Sequence, residues 1–174
     1  MDASFTEFDV TLRDGRAVHV RAVRPADEAE FVQGFGRMSA EARYMRFMRS
    51  IRELNLERLR KVLASFPESG IGIVATVTAA DGIDIVGSAI YVLESDPTSC
   101  EFAISVASEF GGVGLATTLM TTLIDEAKRR GLREMEGFVL AVNQPMLRLA
   151  RRLSFSIAPD PDDAAVRICR LHLA

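Results

Sequence analysis

The period of the hydrophobic positions changes along the chain, and each change predicts a boundary between secondary-structure elements. Apolar and polar residues alternate over residues 17–23, directly after a turn-forming Arg-Asp-Gly-Arg segment at 13–16. This pattern predicts a strand that forms a hairpin with residues 8–12. Over residues 54–66 the apolar residues instead recur three and four positions apart, which predicts an amphipathic helix.

The same patterns assign elements to the rest of the chain. Pro25 and Ser39 are suited to the starts of two helices, the second with Ser39 as its cap. Further helices are predicted at 115–130 and 145–153, and further strands at 70–78, 83–93, 101–107, 136–142 and 166–173. Strands with helices between them indicate the α/β class, with antiparallel hairpins beside one parallel crossover. A length of 174 residues suits one domain, 1–174.

Composition excludes several classes of protein. The net charge of −3 and pI near 5.5 argue against general nucleic-acid binding, which uses a basic surface. The chain has no apolar run near the roughly 20 residues of a membrane span and no signal-peptide pattern, so we expect a cytoplasmic protein without a membrane partner. Cys100 and Cys169 are too few for a metal cluster or a disulfide framework. We expect two buried thiols and no metal.

Three glycines between a predicted strand and a predicted helix form the most informative motif. Gly111, Gly112 and Gly114 follow the strand at 101–107, and the helix begins at Leu115. Such a turn lets backbone N–H groups approach a phosphate at the helix start. A plain tight turn is the alternative. A dinucleotide fingerprint is excluded because Thr117 stands at its third glycine, and a P-loop is excluded because no Gly-Lys-Ser/Thr follows.

At these residues the chain resembles the GNAT superfamily of acyl-CoA-dependent N-acetyltransferases. The family's pyrophosphate loop reads (Gln/Arg)-x-x-Gly-x-(Gly/Ala), and residues 111–116 match its last four positions, with Gly111 in the Gln/Arg position. Residues 143–155 resemble the family's late Asn…Arg-Leu-Gly-Phe helix, with Ser154 replacing the glycine. Residues 12–15, 20–27 and 38–47 also resemble the bacterial protein lysine acetyltransferases.

The resemblance implies a three-layer fold, with helices on both faces of a mixed, mostly antiparallel sheet and two parallel strands that splay apart. It also implies acetyl-CoA as the co-substrate. The implied coenzyme-binding residues are Ile104, Val106, Gly111, Gly112, Val113, Gly114, Leu115, Ala116, Thr117 and Asn143. Ile104 and Val106 would hold the pantetheine arm through their backbone. For Asn143 a plain helix cap is the equal alternative.

Acetyl transfer to a lysine requires a base, because neutralising the ammonium at pH 7 costs about 4.6 kcal/mol. Glu101 is the candidate, since it lies on the strand expected to hold the thioester and occupies the position of the catalytic glutamate in the lysine acetyltransferases it resembles. An exposed strand-edge glutamate is the alternative. In many members of the family a tyrosine in this late helix acts as the general acid that protonates the leaving thiolate. Ala150 occupies that position here, so no side chain is assigned as the general acid.

These features favour an enzyme that transfers an acetyl group to a primary amine by direct attack, with a protein lysine as the favoured acceptor. Two alternatives remain open at this point. One is the same transfer to a small-molecule amine, and the other is a non-catalytic acyl-CoA-binding module, suggested by Gly111, Ala150 and Ser154. The arginines at 43, 46, 49 and 52 form either a docking surface or a solvated face.

Overall fold

The computed structural model describes residues 4–48 and 52–173, which form eight strands, five α-helices and two short 3-10 helices. The strands are β1 Phe8–Thr11, β2 Ala17–Ala22, β3 Gly70–Ala79, β4 Gly82–Leu93, β5 Ser99–Val106, β6 Glu134–Leu140, β7 Ser156–Asp160 and β8 Asp163–His172. The helices are α1 Glu28–Arg37, α2 Ala40–Phe47, α3 Leu56–Ser65, α4 Leu115–Arg129 and α5 Gln144–Arg152. None of the helices among the described residues combines the length and the apolar character that a membrane span requires.

Short polar side chains cap the starts of α2 and α3. The hydroxyl oxygen of Ser39 accepts a hydrogen bond from the backbone N–H of Ala42 at 3.0 Å, which confirms the predicted cap of α2. Asn55 caps α3 in the same way through the N–H of Arg58 at 3.0 Å. A glycine marks the end of a helix instead: after the C-terminus of α4, Gly131 adopts a φ of +80°, the left-handed conformation that commonly follows a helix.

The strands form one sheet in the order β1-β2-β3-β4-β5-β6-β8-β7, and every neighbouring pair is antiparallel except β5 and β6. This confirms the α/β class with one parallel pair. The hydrophobic pattern predicts no strand at residues 156–160, yet β7 forms there as the outer partner of β8. It carries no alternating signal because Ser156, Ala158 and Pro159 are exposed and only Ile157 packs against the core.

Helices cover both faces of the sheet. A Cβ added to Gly87 on β4 would point at Leu115 and Leu119 of α4, whereas its neighbour Ser88 faces the space beneath α1, α2 and α3. Leu115, Leu119 and Met120 are fully buried in the layer between α4 and the sheet. The three layers expected from the family resemblance are therefore present.

The parallel strands β5 and β6 pair over only three residues and then separate. Their last paired residues are Glu101 and Glu136, and the next residues are Phe102 and Gly137. The ring of Phe102 lies so close to Gly137 that a Cβ added there would be 2.3 Å from it. Phe102 also packs edge-on against Phe155, with ring centroids 5.3 Å apart. A glycine is therefore required where the strands diverge.

Substitution Gly137→Ala should lower the free energy of unfolding by about 1–3 kcal/mol, because the added methyl forces the Phe102 ring to move. Thermal unfolding measures this loss as a lower midpoint. Gly36→Ala is the matched control. Gly36 lies on helix α1, and a Cβ added there has no other atom within 4 Å. A midpoint for Gly137→Ala equal to that of the wild type would show that Phe102 does not constrain this position.

Candidate active site

The separation of β5 and β6 opens a cleft of about 560 Å³ through the sheet. One wall is formed by residues 101–106 of β5, and the other by Phe138 and Val139 of β6 together with one side of α5, from Pro145 to Arg152. The glycine turn before α4 lines one end of the cleft, and α2 lines the other. The cleft therefore joins a site suited to an anion with the part of β5 that carries Glu101.

The glycine turn presents a group of unpaired backbone donors. Gly112 and Gly114 have φ values of +72° and +94°, whereas Gly111 is in the extended region at −73°. The first helical hydrogen bond of α4 runs from the N–H of Thr118 to the carbonyl of Gly114 at 3.0 Å. The N–H groups of residues 115–117 precede it and have no carbonyl partner within the helix. Together with the positive end of the helix dipole, they suit a phosphate.

Two arginines of the β1–β2 hairpin hold this turn, and sequence analysis did not identify them. Arg13 donates from its backbone N–H to the carbonyl of Val113 at 3.1 Å and from its guanidinium to the carbonyl of Gly112 at 3.0 Å. Arg16 donates to the carbonyl of Glu109 at 2.6 Å. Arg13 also lines the cleft, so it places a positive charge beside the glycine turn. Only the folded topology brings residue 13 to residue 112.

The backbone of β5 has a free edge toward the cleft. The N–H of Ala107 donates to the carbonyl of Val86 at 2.9 Å, so residue 107 faces β4. Because successive residues of a strand point their backbone groups to opposite edges, Val106 and Ile104 face the cleft. Strand β6 pairs with β5 only as far as Glu101, so these groups have no partner strand. Both predicted pantetheine positions thus lie along the opening.

Helix α5 contributes Asn143 at its start. The side-chain oxygen of Asn143 accepts from the N–H of Met146 at 3.3 Å, and the residue also lines the cleft. The cap is therefore observed, and a coenzyme contact remains a prediction. Ala150 is fully buried in the core, and Ser154 adopts the left-handed φ of +71° that the family's glycine would take without strain.

Glu101 lies at the α2 end of the cleft and lines it. The residue is open to solvent on one side, yet its partial burial raises the pKa of the Glu101 carboxyl. The nearby charge of Glu136 raises this pKa further, whereas Arg46 and Arg58 act in the opposite direction. A carboxylate with a raised pKa is a stronger base, which suits the role predicted for Glu101.

Further carboxyl groups lie near Glu101, although they do not line the cleft themselves. A hydrogen bond to Glu136, together with burial and the charges of Glu136, Glu101 and Glu134, raises the pKa of Glu94 to about 7. Glu136 also accepts a hydrogen bond from Arg170 at 3.1 Å. The sequence hides this group because Glu94 follows β4, Glu101 lies on β5, and Glu134 and Glu136 lie on β6, so that they meet only in the folded sheet.

Helix α2 closes the Glu101 end of the cleft. Arg46 lines the cleft, and its burial lowers the pKa of the guanidinium, an effect that the charge of Glu101 opposes. Arg43 instead donates to the carbonyl of Phe35 at 2.9 Å and lies over its ring, so it serves the packing of α1 against α2. The predicted arginine face therefore divides into separate roles, with Arg49 outside the described residues. Tyr44 is exposed and does not line the cleft.

Potential metal ligands are not clustered in the part of the chain that the structure describes. Among residues 4–48 and 52–173, no group of three or more His, Cys, Asp or Glu residues is placed to bind a metal ion. Cys100 and Cys169 are buried and free, as predicted for these two thiols. Burial raises their pKa values to about 12 and about 11, so both remain protonated and unreactive at neutral pH.

Proteins similar to this chain in sequence and in fold are acetyltransferases or GNAT domains. An acetyltransferase of Pseudomonas aeruginosa is 33% identical over 163 residues, covering 94% of this chain and 88% of the relative. The GNAT domain of S. lividans PAT has the same fold, with a TM-score of 0.85 at 21% identity, over 95% of this chain and 96% of that domain. A Salmonella typhimurium protein solved with its cofactor acetyl-CoA superposes with a TM-score of 0.68 at 18% identity, over 90% and 94% of the two chains.

The family assignment rests on sequence as well as on fold. The family model for the acetyltransferase (GNAT) family matches residues 39–155. This range contains α2, the glycine turn, Glu101 and Asn143, which are the elements that form the cleft. The Pseudomonas aeruginosa relative extends the similarity over nearly the whole chain. The chain therefore belongs to the GNAT family of acetyltransferases.

Proposed function

We propose that this enzyme transfers the acetyl group of acetyl-CoA to a primary amine by direct attack, with a protein lysine as the acceptor. The observation that carries the proposal is the cleft between β5 and β6, which has unpaired N–H groups at one end and a carboxylate at the other. Acetyl transfer needs these two features at separate ends, because the coenzyme's phosphates and its thioester lie far apart.

The glycine turn fits the coenzyme's pyrophosphate. Residues 112–117 supply backbone N–H groups, and Gly111 has lost the side chain that the family pattern places first. Arg13 offers a positive charge at the same turn, where its guanidinium already contacts the carbonyl of Gly112. We assign Arg13 the charge that Gly111 does not provide. The pantetheine arm would then follow the free backbone edge at Ile104 and Val106, and Asn143 would contact it from α5.

The transfer itself requires one proton acceptor near the thioester. The amine nitrogen attacks the thioester carbon, the carbon–sulfur bond breaks, and the coenzyme leaves as a thiolate. Glu101 takes the proton that the amine loses, directly or through one water. The described residues offer no tyrosine on the cleft wall to protonate the thiolate, since Tyr91 is buried and Tyr44 lies outside the lining. We assign that proton to solvent.

The carboxyl groups around Glu101 support a cationic acceptor. The charge of Glu136 acts on Glu101, and the charges of Glu101, Glu134 and Glu136 act on Glu94. Negative charge near Glu101 attracts a protonated lysine and raises its local concentration. The resemblance of the first half of the chain to the bacterial protein lysine acetyltransferases points to the same acceptor class. A lysine-containing peptide, compared with small amines, is therefore the acceptor to test first.

Substitution Glu101→Gln should lower kcat for a lysine peptide more than tenfold while changing the Kd for acetyl-CoA less than about twofold. The amide keeps the size of the side chain but cannot take the proton. Release of coenzyme A thiol measures kcat, and calorimetry measures Kd. Glu57→Gln, an exposed glutamate on α3, is the control. An unchanged kcat would remove Glu101 from the mechanism.

The acid limb of the kcat/KM profile should report the ionisation of Glu101 and should move in opposite directions in two variants. Glu136→Gln removes a charge that raises the pKa of Glu101, so the limb should move to lower pH. Arg46→Met removes a charge that lowers this pKa, so the limb should move to higher pH. A limb that stays in place in both variants would mean that another group controls it.

Substitution Arg13→Met should raise the Kd for acetyl-CoA by about three- to tenfold, because a charge-assisted contact to the phosphates is lost. The loss should disappear with S-acetylpantetheine, which lacks the pyrophosphate. Arg24→Met, which removes another exposed arginine that does not line the cleft, is the control. Equal weakening of both donors would indicate that Arg13 supports the fold of the glycine turn rather than the phosphates.

A further inference from the structure

A second cavity of about 340 Å³ lies between the sheet and helices α1, α2 and α3, and the proposed acetyl transfer does not use it. Its walls are mainly aromatic and aliphatic, and they include Phe31, Phe35, Phe47, Leu63, Phe66 and Ile90. Four charged residues also contribute to its lining, namely Glu30, Arg37, Arg46 and Glu109. Apolar side chains dominate the remainder, so the cavity suits a hydrocarbon group.

The second cavity adjoins the cleft. Met38, Ala42 and Arg46 on the helix side, with Ser105 and Val106 on β5, line both spaces. Ser105 and Val106 belong to the strand along which the pantetheine arm would lie. Arg46 lies close enough to Glu101 for their charges to interact and also lines both spaces, so a group attached to a thioester near Glu101 could pass beneath α2 into the second cavity.

We infer that the second cavity holds the hydrocarbon chain of an acyl-CoA donor, so that the enzyme transfers acyl groups longer than acetyl. This inference rests on the proposed function. The two sides of the reaction differ in chemistry: the amine approaches as a cation, and the carboxyl group of Glu101, which lines the cleft, suits it. An ammonium would lose its hydration in the apolar cavity, whereas a hydrocarbon chain gains by leaving water.

The reaction balances as it does for acetyl. The amine nitrogen forms a bond to the acyl carbon, the carbon–sulfur bond breaks, the coenzyme leaves as a thiolate, and the amine's proton passes to Glu101. Only the chain attached to the acyl carbon changes. Each methylene moved from water into an apolar cavity improves binding by about fourfold.

The first experiment compares acetyl-, butyryl- and hexanoyl-CoA with one lysine peptide, using thiol release and the mass of the product. The inference predicts that kcat/KM rises with chain length, by at least tenfold from acetyl to hexanoyl. A kcat/KM that falls steadily from acetyl onward, with acetyl transfer intact, would overturn the inference alone. Failure of every coenzyme A thioester to bind would instead overturn the proposed function.

The second experiment fills the cavity from α1. Gly34 lines it, and a Cβ added there has no atom within 4 Å, so Gly34→Leu can extend into open space. We expect this variant to lower kcat/KM for hexanoyl-CoA at least tenfold and to leave that for acetyl-CoA unchanged. Gly36→Leu is the matched control, because it lies on the same helix, is exposed and does not line the cavity.

A second variant fills the cavity from the sheet side, so that the test remains valid if Gly34→Leu does not fold. Ser88→Leu extends from β4 into the same space, and it should reproduce the loss with hexanoyl-CoA. Thermal unfolding verifies that each variant is folded. If the folded variants raise KM for the amine with acetyl-CoA, the cavity holds the acceptor and the inference is wrong. The inference would also be wrong if folded Gly34→Leu had the same kcat/KM as the wild type with acetyl-CoA and the same kcat/KM as the wild type with hexanoyl-CoA.

Discussion

The end of pairing between β5 and β6 is the constraint on which the site depends. Parallel strands that continued to pair beyond Glu101 and Glu136 would leave no cleft, and the backbone at Ile104 and Val106 would bond to a strand rather than face an opening. The separation occurs where the Phe102 ring lies against a residue without a side chain. The contact between Phe102 and Gly137 thus lies directly after the last hydrogen-bonded pair of β5 and β6.

The charges around the cleft follow the same division. Backbone donors and the Arg13 guanidinium lie at the glycine turn, whereas carboxyl groups gather around Glu101. Opposite ends of one opening therefore suit an anionic donor and a cationic acceptor. A hydrogen bond to Glu136, burial and the neighbouring carboxyl charges raise the pKa of Glu94 to about 7, whereas burial first, and then the charge of Glu136, raises the pKa of Glu101. Partial burial is therefore the main source of the base strength proposed for Glu101.

Local signals in the sequence were sufficient for most of the fold. Periodicity, the Ser39 cap and the glycine turn depend on neighbours within a few residues, and the structure confirms the elements that they predict. The strand at 156–160 was missed because an exposed outer strand carries no alternation. Arg13 and the role of Arg46 were missed because their contacts join distant parts of the chain. Glu101 is a candidate base through family resemblance, and its role stays a prediction, since exposure alone does not distinguish a base from a surface glutamate.

A crystal structure of the protein with acetyl-CoA is the most direct test of the proposed donor site. We expect the pyrophosphate on the N–H groups of residues 112–117, with the Arg13 guanidinium beside it. We also expect the pantetheine arm between β5 and β6, hydrogen-bonded to Ile104 and Val106, and the thioester within reach of Glu101. Coenzyme bound outside this cleft, or bound within it with the thioester remote from Glu101, would contradict this assignment.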